Sequence, residues 1–195
     1  DITRMKDELE IDQRSKTVLV TGGSLGAKRV NELIFCTIGD INKLGIQVLH
    51  QTGSAQATKC AKEIRRQLSS PKLYRPFDFS SEMAKLYGVS DVVVSRAGAS
   101  SIQELANSGK PAILIPAGLT DQKKNGRIMD ELGAALVADQ VKLLESPEEF
   151  ISELQFLIGD DNLRDSLSDN ISKLARPDSR ERIVKEIFKL EAGTE

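Results

Sequence analysis

Short runs of apolar, often β-branched residues alternate with longer stretches whose apolar positions recur at helical spacing, and this alternation runs from Thr17 to near Leu190. Thr17-Val-Leu-Val-Thr21 reads as a first strand. It leads into a helix in which Val30, Leu33, Ile34, Ile38 and Ile41 share one face and Gly45 marks the end. Ile46-Gln-Val-Leu-His50 reads as the second strand, and a third, weaker one is expected near Leu73-Tyr74, after a polar helix containing Ile64 and Leu68. Val92, Val93 and Val94 make the fourth, a run suited to a strand covered on both faces of a parallel sheet. Ala112-Ile-Leu-Ile115 and Ala134-Ala-Leu-Val137 supply the fifth and sixth, separated by a helix with Ile128, Met129 and Leu132; two or three helices are expected from about Pro147 to Leu190. Strands alternating with helices predict an α/β fold, an open, doubly wound parallel sheet of Rossmann-like type, because right-handed crossovers place helices on both faces.

A chain of 195 residues is long enough to bury a core of that kind. A net charge of −2 with 29% charged residues gives no sign of nucleic acid as a partner. No apolar run approaches the roughly 20 residues that a transmembrane segment needs, and no signal peptide is visible. Cys36 and Cys60 fall in helix-like segments without metal-ligand spacing, and read as packed, reduced thiols. The chain opens at Asp1, and residues 1–16 are polar and charged. They read as a linker or trimmed boundary, with residues 17–192 as the folded domain and a longer protein expected.

Ligands of such sheets sit outside the carboxyl ends of the strands, so the loops there should carry the chemistry. The segment Asp91-Val-Val-Val-Ser-Arg-Ala-Gly-Ala-Ser-Ser-Ile-Gln-Glu104 joins a buried strand, a turn that Gly98 should permit, and a helix start for which Ser100 and Ser101 are candidate caps. Amides at such a start attract a phosphate, and Glu104 one turn further in can accept hydrogen bonds from ribose hydroxyls. Gly22-Gly-Ser-Leu-Gly26 is a second phosphate candidate; a tight strand-to-helix turn reads the same way. His50-Gln51-Thr52-Gly53 holds the only histidine, either a structural hydrogen-bonding group or a candidate base. Phe77-Asp78-Phe79-Ser80-Ser81-Glu82-Met83 could set an aromatic ring and free amides beside a flat base, although core packing of at least one of the two rings is expected. Thr120-Asp121-Gln122-Lys123-Lys124-Asn125 could contact sugar hydroxyls, or form a solvated helix start. A dinucleotide oxidoreductase is disfavoured, because Thr21 stands where the Gly-x-Gly-x-x-Gly fingerprint needs its first glycine and the second strand ends in His50-Gln51 rather than a ribose-binding carboxylate. No P-loop or zinc motif is present.

Taken in order, these loops resemble the carboxyl-terminal domain of the MurG family, bacterial transferases that add N-acetylglucosamine to the undecaprenyl-diphosphate-linked muramyl-pentapeptide lipid I to make lipid II. Gly22-Gly-Ser-Leu-Gly-Ala27 is similar to the family's Gly-Gly-Ser-x-Gly-Ala, and His50-Gln-Thr-Gly53 to its His-Gln-x-Gly. Phe79-x-x-x-Met83, Asp91 to Ala99 with Glu104, Gly109-x-Pro111, Gln122-x-x-Asn125 and Gly133-Ala-Ala135 follow in the family's order, from about Thr17 to Leu190.

The resemblance implies one half of a GT-B glycosyltransferase, the Rossmann-like domain that binds the donor UDP-N-acetylglucosamine, with no cofactor and no metal. It implies that Glu104 bonds the ribose, and that the backbone around Ser80, in the loop running to Met83, reads uracil with Arg96 nearby. Gly23, Ser24 and Gly26, with Gly98 and the amides of Ala99, Ser100 and Ser101, would face the diphosphate; Asp121, Gln122 and Asn125 would serve the sugar. Two departures bear on the sugar contacts: Gly126 stands where the family usually has alanine, and the Asp121-to-Asn125 spacing is shorter than in many members. The lipid-acceptor loops and the general base of the family belong to an amino-terminal domain that these residues do not resemble, so no catalytic residue is assigned here and isolated activity is not expected. The complete enzyme would be cytoplasmic and peripheral at the inner face of the cell membrane. The alternatives are half of a split lipid-linked N-acetylglucosamine transferase or of a UDP-N-acetylglucosamine 2-epimerase-like enzyme.

Overall fold

The computed structural model describes residues 2–23, 27–118 and 121–192. Six strands, β1 (Thr17–Thr21), β2 (Gln47–Gln51), β3 (Tyr74–Phe77), β4 (Val92–Ser95), β5 (Ala112–Leu114) and β6 (Leu136–Val137), form one parallel sheet in the order β3-β2-β1-β4-β5-β6. The chain runs outward from β1 to β3, then returns to lay β4 on the other side of β1. That reversal is the topological switch point of a doubly wound sheet.

Burial explains which strands are central. All residues of β1, β2, β4 and β5 are buried, whereas β3 alternates and β6 is half-buried. In β1, Val18 and Val20 pair with Val92 and Val94 and point to one face, where they meet α2 (Lys28–Lys43), α3 (Ala55–Arg66), α7 (Gln140–Glu145) and α8 (Pro147–Gly159). Leu19 and its neighbours Leu49 and Val93 point to the other face, against α4 (Met83–Val89), α5 (Ala99–Ser108) and α6 (Asp121–Glu131). Helix α9 (Asp161–Ser172) reaches both cores, through Leu167 and Ile171. The third strand starts later than the apolar pair suggested and includes Pro76, which an edge strand tolerates because one side of it needs no amide donor. The sixth is shorter than expected: Ala134 and Ala135 are buried in the connection before it.

The first 16 residues carry helix α1 (Ile2–Glu8), which packs on α4, while Ile11 is buried with the α4/α5 core. Cys36 and Cys60 correct the expectation of packed thiols: each lies on the outer face of its helix, exposed. The closing helix, α10 (Ser179–Ala192), leaves Ile183, Ile187 and Phe188 exposed. Among the described residues, no helix is long and apolar enough to cross a membrane.

Gly109 closes α5 in the left-handed region at φ +59°, and a β-carbon there would lie 2.9 Å from Ser172 Oγ on α9. Gly109→Ala therefore meets both backbone strain and a contact, and should lower stability by about 1–3 kcal/mol in denaturant titration with an unchanged m value.

Candidate functional site

The loops after β1 and β4 flank the switch point. After β1, Gly23 turns the chain at φ +83°, and its amide donates to Thr21 Oγ1 at 3.2 Å; the Thr21 hydroxyl in turn donates to Gln51 Oε1 at 2.7 Å. Ser24 and Gly26 lie outside the described residues. Helix α2 then begins behind Ala27 without a side-chain cap.

After β4, Gly98 occupies the N-cap of α5 with φ −74° and ψ 150°, and no side chain caps the helix. Two expectations change here. Ser100 and Ser101 lie within the first turn rather than capping it, and Gly98 has backbone angles open to any residue, so its value is the absence of a side chain over the helix end. Ile102 is the first amide of α5 to reach a helical carbonyl, Gly98 O at 2.9 Å. The amides of Ala99, Ser100 and Ser101 are therefore left to point outward with the positive end of the helix dipole. By contrast α3, α7 and α9 are capped by Ser54, Asp139 and Asp160. Helices α2 and α5 share the lack of a side-chain cap with α4 and α8, and at the switch point it leaves their first amides open to an anion.

Glu104 stands one turn into α5, exposed, and its Oε2 accepts a 2.8 Å hydrogen bond from the Tyr87 hydroxyl on α4. Burial, and then the neighbouring carboxylate, push the Tyr87 phenol well above its ordinary pKa, so it remains a donor. The loop before α4 lies on the same face of the sheet. Ser80 Oγ accepts from the Glu82 amide at 3.0 Å, Met83 packs against the core, and Phe77 is half-buried while Phe79 is exposed. A hollow of about 330 Å³ lined by Leu49, Phe77, Phe79, Ser80 and Leu86 opens beside it.

Arg96 goes elsewhere. Its guanidinium donates to Ile115 O at 3.0 Å and to Gln140 Oε1 at 2.5 Å, on the β5 and α7 side, and no hydrogen bond among the described residues joins it to Ser80. Asn125 and Gln122 act on loop backbone: Asn125 Nδ2 donates to Ala97 O at 3.0 Å, tying α6 to the β4 turn, and Gln122 Oε1 accepts from the Ala117 amide at 3.0 Å. Asp121 is exposed in the first turn of α6, and Thr120 lies outside the described residues. Gly126 has a reason in the packing. A β-carbon there would lie 2.8 Å from Pro116 Cγ and 3.2 Å from Val137 Cγ1, so the absence of a methyl group lets α6 lie close to β5 and β6.

His50 is removed from chemistry. It is fully buried, with Nδ1 2.8 Å from the Tyr74 hydroxyl and Nε2 3.0 Å from Asn31 Oδ1. Asn31 uses its Nδ2 to donate to Thr52 O at 3.0 Å, so its Oδ1 accepts, Nε2 carries the proton, and Nδ1 accepts from Tyr74. Burial lowers the imidazole pKa from its ordinary 6.5 to about 3 and raises that of Tyr74, which keeps the ring neutral and the phenol protonated, while the two hydrogen bonds set the tautomer. Sequence reasoning missed Asn31 and Tyr87. Both sit at buried helix positions, where the one available signal was a polar group on an apolar face.

An open parallel sheet with two uncapped helix starts across its switch point has the architecture of Rossmann-like ligand-binding domains. Residues 17–183 match the glycosyltransferase family 28 C-terminal domain, and the chain belongs to that family. It is 39% identical over 177 residues to the UDP-N-acetylglucosamine–N-acetylmuramyl-(pentapeptide) pyrophosphoryl-undecaprenol N-acetylglucosamine transferase of Cytophaga hutchinsonii, covering 89% of this chain and 46% of that protein. The transferase of the same name from Flavobacterium psychrophilum is 36% identical over 188 residues, 94% of this chain and 49% of its own length. Among solved structures, MurG of Acinetobacter baumannii superposes with a TM-score of 0.77 at 25% identity, over 95% of this chain and 53% of that one. The chain thus spans about half the length of the curated relatives it matches.

The buried histidine has a pH signature. Below pH 6.5 the unfolded chain binds a proton at His50 that the folded chain refuses until about pH 3, so stability falls as pH drops through that window, by up to about 1.4 kcal/mol per pH unit from this group. Denaturation of parent and His50→Gln should show that slope only in the parent, after the carboxylate contribution common to both is subtracted. Long-range ¹⁵N–¹H NMR at pH 5 should show the neutral Nε2–H tautomer.

Proposed function

We propose that this chain is the donor-binding half of an inverting GT-B glycosyltransferase, holding UDP-N-acetylglucosamine for transfer to lipid I in peptidoglycan synthesis. The observation that carries the reading is the uncapped start of α5 at the switch point, with Glu104 one turn away, in a domain of this family. The amides of Ala99, Ser100 and Ser101 would receive the diphosphate. Glu104 would accept from the ribose diol, and the loop around Ser80 would take the uracil edge beside the hollow, which Arg65 and Arg75 also line. The α6 start, braced by Gln122 and Asn125, would present Asp121 to the sugar.

Inversion requires an acceptor hydroxyl aligned behind the anomeric carbon, a base to take its proton, and stabilisation of the departing UDP. This domain would supply the last. Dipoles fixed before the reaction meet the charge that develops on the leaving diphosphate, at no cost in reorganisation. The base and the acceptor site would belong to the other half of the enzyme, which would bring the cleft to the inner face of the membrane as a peripheral protein. With both ring nitrogens of His50 bonded inside the core, the chain offers no histidine for an epimerase-type proton transfer.

Calorimetry should show UDP binding in preference to ADP and UMP; equal or absent binding of all three overturns the uridine diphosphate site. Glu104→Ala should weaken UDP binding by about 1–3 kcal/mol and leave the fold intact by circular dichroism, the scale of hydrogen bonds to a charged acceptor. Alone, the chain should not transfer N-acetylglucosamine to a lipid I analogue, and addition of a family amino-terminal half should restore transfer; robust turnover by the isolated chain contradicts the division of labour.

A further inference from the structure

The carboxylate assigned to the ribose is not a free surface glutamate. A solvent-exposed glutamate on a helix samples many rotamers, and holding one costs side-chain entropy of up to about 2 kcal/mol. Here Oε2 is held at 2.8 Å by the hydroxyl of Tyr87, which is 3% exposed, and Tyr87 is the one hydrogen-bond partner that the carboxylate has among the described residues. The residue as a whole is exposed, and among the described residues no hydrogen bond is made to Oε1.

Tyr87 is itself on a rigid mount. Helix α4 is capped at its carboxyl end by Lys110 Nζ, which donates to Ser90 O at 2.8 Å and Gly88 O at 3.2 Å, and Ser90 Oγ donates to Leu86 O at 2.6 Å. Met5 of α1 rests against the position of Gly88 from outside. The phenol ring packs in the α4/α5 core, so the hydroxyl has a fixed location from which to aim the carboxylate.

We infer that Tyr87 is a positioning residue for nucleotide recognition: it engages one oxygen of Glu104 and presents the other to the cis-diol of a ribonucleoside diphosphate. The inference rests on the donor-site reading, in which Glu104 meets the ribose. Its physical content is preorganisation, because the rotamer is selected before the ligand arrives and the ordering cost is not charged to binding. A buried phenol that stays protonated serves as this kind of anchor at every pH the protein meets.

The test compares UDP with 2′,3′-dideoxy-UDP, which lacks the diol, on the parent chain, Tyr87→Phe and the double variant Tyr87→Phe/Glu104→Ala. Tyr87→Phe removes one oxygen and leaves behind only an exposed carboxylate that water can solvate, so the thermal midpoint should hardly move. UDP affinity should fall by about three- to tenfold while dideoxy-UDP affinity stays at the parent value, and the double variant should bind UDP no more weakly than Glu104→Ala alone. If Tyr87→Phe keeps the parent's full preference for the diol, or weakens both ligands equally, the positioning role is overturned while the ribose site stands. If the parent chain does not distinguish the two ligands, the ribose reading itself fails and takes this inference with it.

Discussion

The parallel pairing of β1 with both β2 and β4 is the constraint on which everything else hangs. A central strand buried on both faces must satisfy its amides and carbonyls through two neighbours, and here those neighbours come from opposite directions of winding. The connections after β1 and β4 must then diverge to opposite faces, α2 to one and α5 to the other, which opens a crevice between two helix starts. The crevice is therefore a by-product of the reversal in winding. Function needs little beyond leaving its helix ends uncapped and keeping side chains off the backbone.

Polar groups inside the fold are spent on holding loops. Gln51 receives the Thr21 hydroxyl, Asn31 reaches Thr52 O, Thr52 donates to Phe77 O, and Asn125 donates to Ala97 O. The first joins β1 to β2 side chain to side chain, and the other three fix backbone carbonyls beside the strand ends, where an unpaired buried carbonyl would be costly. The motif residues of this family domain thus divide into two kinds: some build the loops, and a few, Glu104 and Asp121 among them, are exposed and are those we propose for the ligand.

Much of this was legible in the residues. The valine run of β4 and the alternation of strands with helices made the strands and the doubly wound class legible, even though β2 buries Gln47, His50 and Gln51 among its apolar positions. Helix starts were harder. Ser100 and Ser101 resemble caps by type, yet the cap is Gly98, two and three residues earlier, and a serine inside the first turn reads the same in sequence as one at its head. His50 could not be placed by its own letter, since its character depends on Asn31 and Tyr74, 19 and 24 residues away. The Tyr87–Glu104 bond was invisible for the same reason: it joins two helices whose relative rotation is set by core packing, and no spacing along the chain encodes it. Gly126, in contrast, was visible as a departure, and acquired a cause only when Pro116 and Val137 were found against it.

Lys110 ties α4 to the end of α5, away from the crevice. It follows the glycine that closes α5, and its ammonium group is bonded to the last carbonyls of α4, while Tyr87 and Glu104 join the same helices nearer the crevice. Two crosslinks between the same two helices oppose scissoring of one against the other. For the nucleotide we propose, laid with its base by the α4 loop and its phosphates at the α5 start, the pair would act as a caliper, and the distance from base to anion would be a dimension for the ligand to match.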